Sequence, residues 1–246
     1  MSAMSTLFGI RYSPWSLRSK WALDHHRVPY AYREYVPMLG APELRVRLRD
    51  FSGRVTVPVL LTEEGALRDS LDIARWAESR ARESEPLFSE PDEVTRVWTH
   101  TAEEICDAGR VLATIAVARD PGALRDNVPG FVPGPVRPLA KPLVTTGLAF
   151  LRRKYRFDAS DADDATRRMR AALEAVGNRL ETRPWLGESF GWSDVAIVCA
   201  LQFVQPAEAW VKLGRSGRAA WTREELARDF ADVLAWRDAV LIERRP

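Results

Sequence analysis

A hydroxyl at the first turn of a helix can cap the helix or meet an anion, and the stretch Tyr12-Ser13-Pro14-Trp15 sets up that choice. Ser13 is a favoured N-cap residue, and Pro14 suits the first helical position because it has no N–H to leave unpaired. The same turn would aim the Ser13 hydroxyl and several free backbone N–H groups at a ligand. Ser16 and Tyr12 are the other hydroxyls at this turn. Three further places carry chemistry. Val57-Pro58 puts a proline at the start of an apolar strand, where its missing N–H interrupts the ladder and a cis bond is expected. Asp69-Ser70 stands directly ahead of a helical pattern, with Ser70 as the expected N-cap and free N–H groups behind it. Phe190-Gly191-Trp192-Ser193-Asp194 opens a nearly all-apolar helix.

Other chemistries find little support. The three histidines, His25, His26 and His100, show no spacing to cysteine that resembles a zinc site, so no metal is expected. His25-His26 falls where the first helix should end, as a partner of the helix dipole or an exposed polar pair. Cys106 and Cys199 lie in apolar, helix-like surroundings and read as buried reduced thiols, which fits a cytoplasmic location. With 36 Lys+Arg mixed among 34 Asp+Glu and no aromatic–basic stripe, nucleic acid is not an expected partner. The first ten residues lack the basic and long apolar regions of a signal peptide. No apolar stretch approaches the roughly 18 residues of a membrane span.

The elements that must position these residues can be read from pattern and punctuation. Residues 6–11 read as a buried strand in which Gly9 allows close backbone approach, and 14–25 as a helix with Leu17 and Trp21 on one face. Aromatic and β-branched residues after Pro29 give a second strand, and a short helix is expected over Pro42–Arg49. The segment from Val55 to Ser70 reads as a hairpin with strands at 57–61 and 66–68, and a third helix follows. The first eighty residues therefore spell β-α-β-α-β-β-α, and no convincing strand follows. Residues 81–91, charged and proline-bearing, form the expected linker between a domain at 1–80 and an all-helical domain at 92–246.

In the second part, a long helix is expected from Asp92 to Ala118, then helices at 143–155, 161–181, Trp192–Val204 and Phe230–Ile242. Ser160-x-x-Asp163 and Thr222-x-x-Glu225 read as capping boxes. Residues 120–142 hold six prolines and three glycines, so they read as a loop or broken helix, either a lid over a substrate site or a surface loop. The fold class is thus α/β plus all-α.

Taken together, these residues resemble the glutathione transferase family. SPWSLR at 13–18 is similar to the family's serine-type active-site pattern, Val57-Pro58 to its cis-proline turn, and Asp69-Ser70 to its acid–serine pair. The resemblance implies a thioredoxin-like N-terminal domain, a helical C-terminal bundle and a homodimer. It implies glutathione as co-substrate, with Ser13 stabilising its thiolate and Val57, Pro58, Asp69 and Ser70 holding the tripeptide. Trp15 would either wall the pocket for a small electrophilic substrate or serve packing. A hydroxyl donor aimed at the charged form lowers a thiol's pKa, and a helix N-terminus acts in the same direction.

No cysteine occupies the turn, which disfavours mixed-disulfide chemistry. Ser16 is a rival for the sulfur contact. Three departures stand out. Gly191 replaces the usual Ser or Thr ahead of Asp194, Thr56 and Val57 stand where a Lys or Arg often precedes the cis-proline, and residues 120–142 read as an insertion between two bundle helices. Conjugation of glutathione to an apolar electrophile is the expected activity. The alternatives are glutathione-dependent cis–trans isomerisation, with Arg11 and Arg18 as cations for acidic substrates, and a non-catalytic binding or assembly role.

Overall fold

The computed structural model describes residues 4–36, 39–51, 55–128, 141–208 and 210–246. The first unit runs β1 (Ser5–Gly9), α1 (Pro14–His25), β2 (Tyr30–Glu34), α2 (Ala41–Leu48), β3 (Val59–Thr62), β4 (Gly65–Leu67) and α3 (Ser70–Ser79). The order matches the sequence reading, and the sheet is β2-β1-β3-β4 with β1 parallel to β2 and β3 antiparallel to both neighbours. The parallel pair needs a crossover, which α1 supplies.

Strand alternation explains how three layers form. Leu7 and Leu60 face the core shared with α1 and α3. Phe8 and Val59 face the opposite way, into a smaller cluster with Tyr35, Leu44 and Val55 under α2. This is a thioredoxin-like arrangement. The hairpin is tighter than expected: Thr62 pairs with Gly65, leaving Glu63-Glu64 as the loop. Gly65 sits at a φ of 143°, a conformation that side chains resist. β3 begins two residues later than expected, so Val57 stands outside the ladder.

The rest is helical among the described residues: α4 (Asp92–Arg119), α5 (Pro121–Asp126), α6 (Lys141–Tyr155), α7 (Ala162–Leu180), α8 (Trp192–Ala200), α9 (Arg215–Trp221), α10 (Glu224–Asp229) and α11 (Ala231–Glu243). Every residue of α8 is buried, as its composition demanded. Helix α8 packs on α4 and also on α1, so one core runs through both parts of the chain. The proline-rich expectation over 120–142 holds for a short helix at its start, while residues 129–140 lie outside the described residues.

Two capping assignments are corrected. The box before α7 is formed by Asp158 and Asp161 around a short 3-10 turn rather than by Ser160 and Asp163, because Asp158 accepts from Ser160 N at 2.7 Å. Thr222 does not cap α10; its hydroxyl donates to the Arg218 carbonyl at 3.0 Å, since Thr222 terminates α9.

His26 is a third correction. It ends α1, but it is buried rather than exposed, with Nδ1 2.6 Å from Ser84 Oγ. Burial, helped by His25, pulls its pKa down to about 4. It therefore carries no charge for the helix dipole at neutral pH.

Candidate active site

The site begins at the β1–α1 turn. Gly9 lets the strand end and the helix close on each other: a Cβ there would meet Ser16 Cβ and Oγ at 3.0 Å. Ser16 is buried, and its hydroxyl accepts from Ile10 N at 3.0 Å, which fixes the turn. Tyr12 is packed edge-on to Trp221, ring centroids 5.3 Å apart, and burial followed by Glu34 pushes its pKa up to about 12. Both rivals of Ser13 are thus held by the fold.

Ser13 itself takes the N-cap position with extended backbone, φ −75° and ψ 124°. Its carbonyl accepts from Leu17 N at 2.9 Å, yet its side chain makes no capping bond. The hydroxyl is half-buried and has no partner among the described residues. The amides of Trp15 and Ser16 open α1 without intrahelical acceptors, leaving partial positive charge beside that hydroxyl.

The Val57–Pro58 bond is cis, as expected. No hydrogen bond to the Val57 N–H or carbonyl is found among the described residues, so this half-buried backbone is open to an extended ligand. At α3 the sequence expectation is corrected: Asp69, not Ser70, is the N-cap, accepting from Leu71 N at 2.7 Å through Oδ1. Asp69 is exposed, and its other oxygen has no partner among the described residues. Ser70 is the first helical residue and is buried, and its hydroxyl accepts from Arg18 Nε at 2.8 Å.

Arg18 and Glu103 are the residues whose roles sequence reasoning missed. Arg18 is 1% exposed; besides Ser70 it donates to Glu103 Oε1. Burial opposes its charge, Glu103 favours it, and the net direction is up, so the guanidinium stays charged. The second oxygen of Glu103 accepts from Trp15 Nε1 at 2.7 Å. One carboxylate from α4 therefore ties together two residues of α1. Arg18 stood in the SPWSLR motif and so had a signal. Glu103, 85 residues away, had none. Arg18 is not available as a cation for an acidic substrate, and Arg11 is paired at 2.9 Å with Glu34 on the surface.

Trp15 is half-buried, its ring edge-on to Phe203 and beneath the Arg110 guanidinium at 4.5 Å. Cys106 and Cys199 are buried free thiols whose pKa values burial pushes up, so neither is a nucleophile. No group able to hold a metal ion is found among the described residues, and no helix described is long and apolar enough to cross a membrane.

A mixed thioredoxin-like sheet carrying an open serine at its first helix, followed by a helical bundle, defines the class of protein. Residues 12–80 match the family described as glutathione S-transferase, N-terminal domain, and residues 151–239 match glutathione S-transferase, C-terminal domain. The chain belongs to the glutathione S-transferase family. No curated protein matches it.

Among solved structures, it is similar to a glutathione S-transferase of Methylobacterium radiotolerans in complex with glutathione sulfonate. That match has 18% identity and a TM-score of 0.60, over 99% of this chain and 92% of that one. A glutathione S-transferase of Methylobacillus flagellatus with GSH bound is 17% identical, TM-score 0.61, over 98% and 95%. Glutathione transferase F7 of Populus trichocarpa is 14% identical, TM-score 0.61, over 98% and 95%. At these identities the likeness concerns the fold.

Proposed function

We propose that the protein is a serine-type glutathione transferase that joins the thiolate of glutathione to an electrophilic carbon of a small apolar substrate. The observation that carries this reading is the Ser13 hydroxyl: it stands at the tip of α1 and makes no capping bond. A donor so placed stabilises a thiolate, and the α1 amides add to it. The γ-glutamyl carboxylate would be met by the Ser70 hydroxyl and the first-turn amides of α3, and the α-ammonium by the open oxygen of Asp69. The cysteinyl backbone would pair with Val57 beside cis-Pro58.

In the reaction the sulfur forms a bond to carbon, and the leaving group departs with its electron pair. Rate comes from thiolate activation and proximity, and the protein forms no covalent bond to substrate. The remainder of the reading is a glutathione-binding unit at 1–80, a linker at 81–91 and a helical unit at 92–246, acting as a homodimer in the cytoplasm.

The test is retention on immobilised glutathione, followed by conjugation to 1-chloro-2,4-dinitrobenzene. Ser13→Ala should retain binding and lose about 10–100-fold in kcat/KM, the worth of a hydrogen bond to a charged group. Equal rates for wild type and Ser13→Ala would remove the proposed role of this serine.

A further inference from the structure

We propose that the outer edge of α6 and the turn after it form a second ligand site, away from the β1–α1 turn, that takes a small molecule carrying phosphate. The site is an open surface cavity of about 540 Å³ lined by Arg152, Arg153, Arg156, Phe157, Asp158 and Asp161. None of the residues assigned above to glutathione lines it. Small-molecule sites usually have volumes of about 300–1,000 Å³.

Helix spacing brings the arginines together. Ala149, which also lines the cavity, stands at i, with Arg152 and Arg153 at i+3 and i+4, the spacing of one helix face. Arg156, just past the end of α6, continues the row. It takes a left-handed φ of 56°, and the chain then turns through Phe157 into the 3-10 turn that carries Asp161. Side chains three and four apart on a helix have Cβ atoms about 5–6 Å apart, so the three guanidinium groups can converge on one multiply charged anion. Their planar forks suit the oxygens of phosphate.

These arginines have nothing else to hold. All three are exposed, and none forms an ion pair or a side-chain hydrogen bond among the described residues. The helix dipole favours cations at the end of α6, which accounts for their charge but not for their lack of partners. On α7 the arginines are paired: Arg167 and Arg168 with Asp164 at 3.0 and 2.9 Å, and Arg170 with Asp229 at 2.9 Å. The two carboxylates in the cavity are engaged in the capping turn instead. Asp158 accepts from Ser160 N at 2.7 Å and from its hydroxyl at 2.6 Å, and Asp161 accepts from Asp158 N at 2.7 Å. Like charges at this spacing repel, and an anion that bridges them removes that cost. The neighbouring carboxylates would oppose a broad anionic surface such as a membrane, so the cavity favours a ligand small enough to meet the arginines alone.

The experiment is isothermal titration calorimetry of the full-length protein with inorganic pyrophosphate and with ADP, two probes that separate an inorganic phosphate from a nucleotide. Wild type should bind at least one of them, and saturating glutathione should not compete. Arg153→Gln and Arg156→Gln should each weaken that binding about tenfold, the scale of one charge-assisted hydrogen bond. Arg167→Gln, which removes a paired arginine on α7, should leave the affinity unchanged. No binding by wild type at about 1 mM of either probe would overturn the site, whether or not any variant folds. Wild-type affinity in both Arg153→Gln and Arg156→Gln would do the same. An equal loss in Arg167→Gln would reduce the effect to overall charge, and competition by glutathione would move it to the site already described; either result rejects the proposal. Capture by phosphatidylserine vesicles with neither probe bound would reassign the arginines to a membrane surface and also reject it.

Discussion

Arg18 Nε donates to Ser70 Oγ at 2.8 Å, and this bond settles what the Ser70 hydroxyl can do. A serine oxygen that accepts from a guanidinium keeps one proton to give, so Ser70 is set as a donor toward an anion. Arg18 is also buried and bound to Glu103 of α4, so the same guanidinium joins the two parts of the chain. The binding role proposed for Ser70 and the stability of the fold therefore share this bond. Ser70→Ala leaves a buried donor without its acceptor, which costs about 1–3 kcal/mol. Urea unfolding of the unliganded protein should show that loss, and an unchanged midpoint would mean that Arg18 does not depend on Ser70.

Ser13→Ala should behave in the opposite way. The hydroxyl makes no capping bond, so its loss should not carry the usual cost of about 1 kcal/mol for an N-cap deletion. Thermal unfolding within about 0.5 kcal/mol of wild type, together with the loss of activity argued above, separates a catalytic hydroxyl from a capping one. A full capping penalty would restore the structural reading of this serine.

The contrast between these two serines shows what was legible in the sequence. The order β-α-β-α-β-β-α, the long α4, the buried α8 and the cis-proline all follow from local punctuation and periodicity. Which member of Asp69-Ser70 caps α3 does not, because either side chain suits an N-cap and the choice is made by Arg18 drawing the Ser70 hydroxyl inward. Glu103 lay in an ordinary stretch of α4, and only the packing of α1 against the helical unit gives it a role. His26 looked exposed for the same reason: the residues that bury it, Ser84 among them, lie beyond α3.

Two buried groups should give the stability a pH dependence in which opposite slopes nearly cancel. Burial lowers His26 from 6.5 to about 4, so its contribution is full above pH 6.5 and is lost as pH falls toward 4. Burial raises Asp194 from 3.8 to about 7, against the pull of its bonds from Leu186 N and Gly191 N, both 2.9 Å. Its contribution is full below pH 3.8 and is lost as pH rises toward 7. Between pH 4 and 6.5 each slope approaches about 1.4 kcal/mol per pH unit. His26→Asn should therefore fall in stability as pH rises through that window, and Asp194→Asn should gain. Denaturant midpoints taken at half-unit steps would show both. Parallel profiles for wild type and both variants would exclude the pair as the source.

Gly191 gives the sharpest divergence between capping rules and structure. By N-cap preference alone, replacing glycine with serine ahead of Asp194 should be neutral or stabilising by a few tenths of a kcal/mol. The structure reverses that sign. A Cβ at Gly191 would lie 2.8 Å from the Leu87 carbonyl oxygen, which is main chain and cannot swing aside. That same carbonyl accepts from Trp192 N at 2.7 Å, and Trp192 is wholly buried. The backbone at Gly191 is extended, with φ −161°, so the obstacle is space and not conformation. Gly191→Ser and Gly191→Ala should each cost about 1–3 kcal/mol, the range for overpacking a filled site. Both should be equally affected despite their different capping ability, and unfolding midpoints in urea measure it. Serine outperforming alanine by a full capping increment would show that the segment at Leu87 moves away and that the cap, not the contact, governs this helix start.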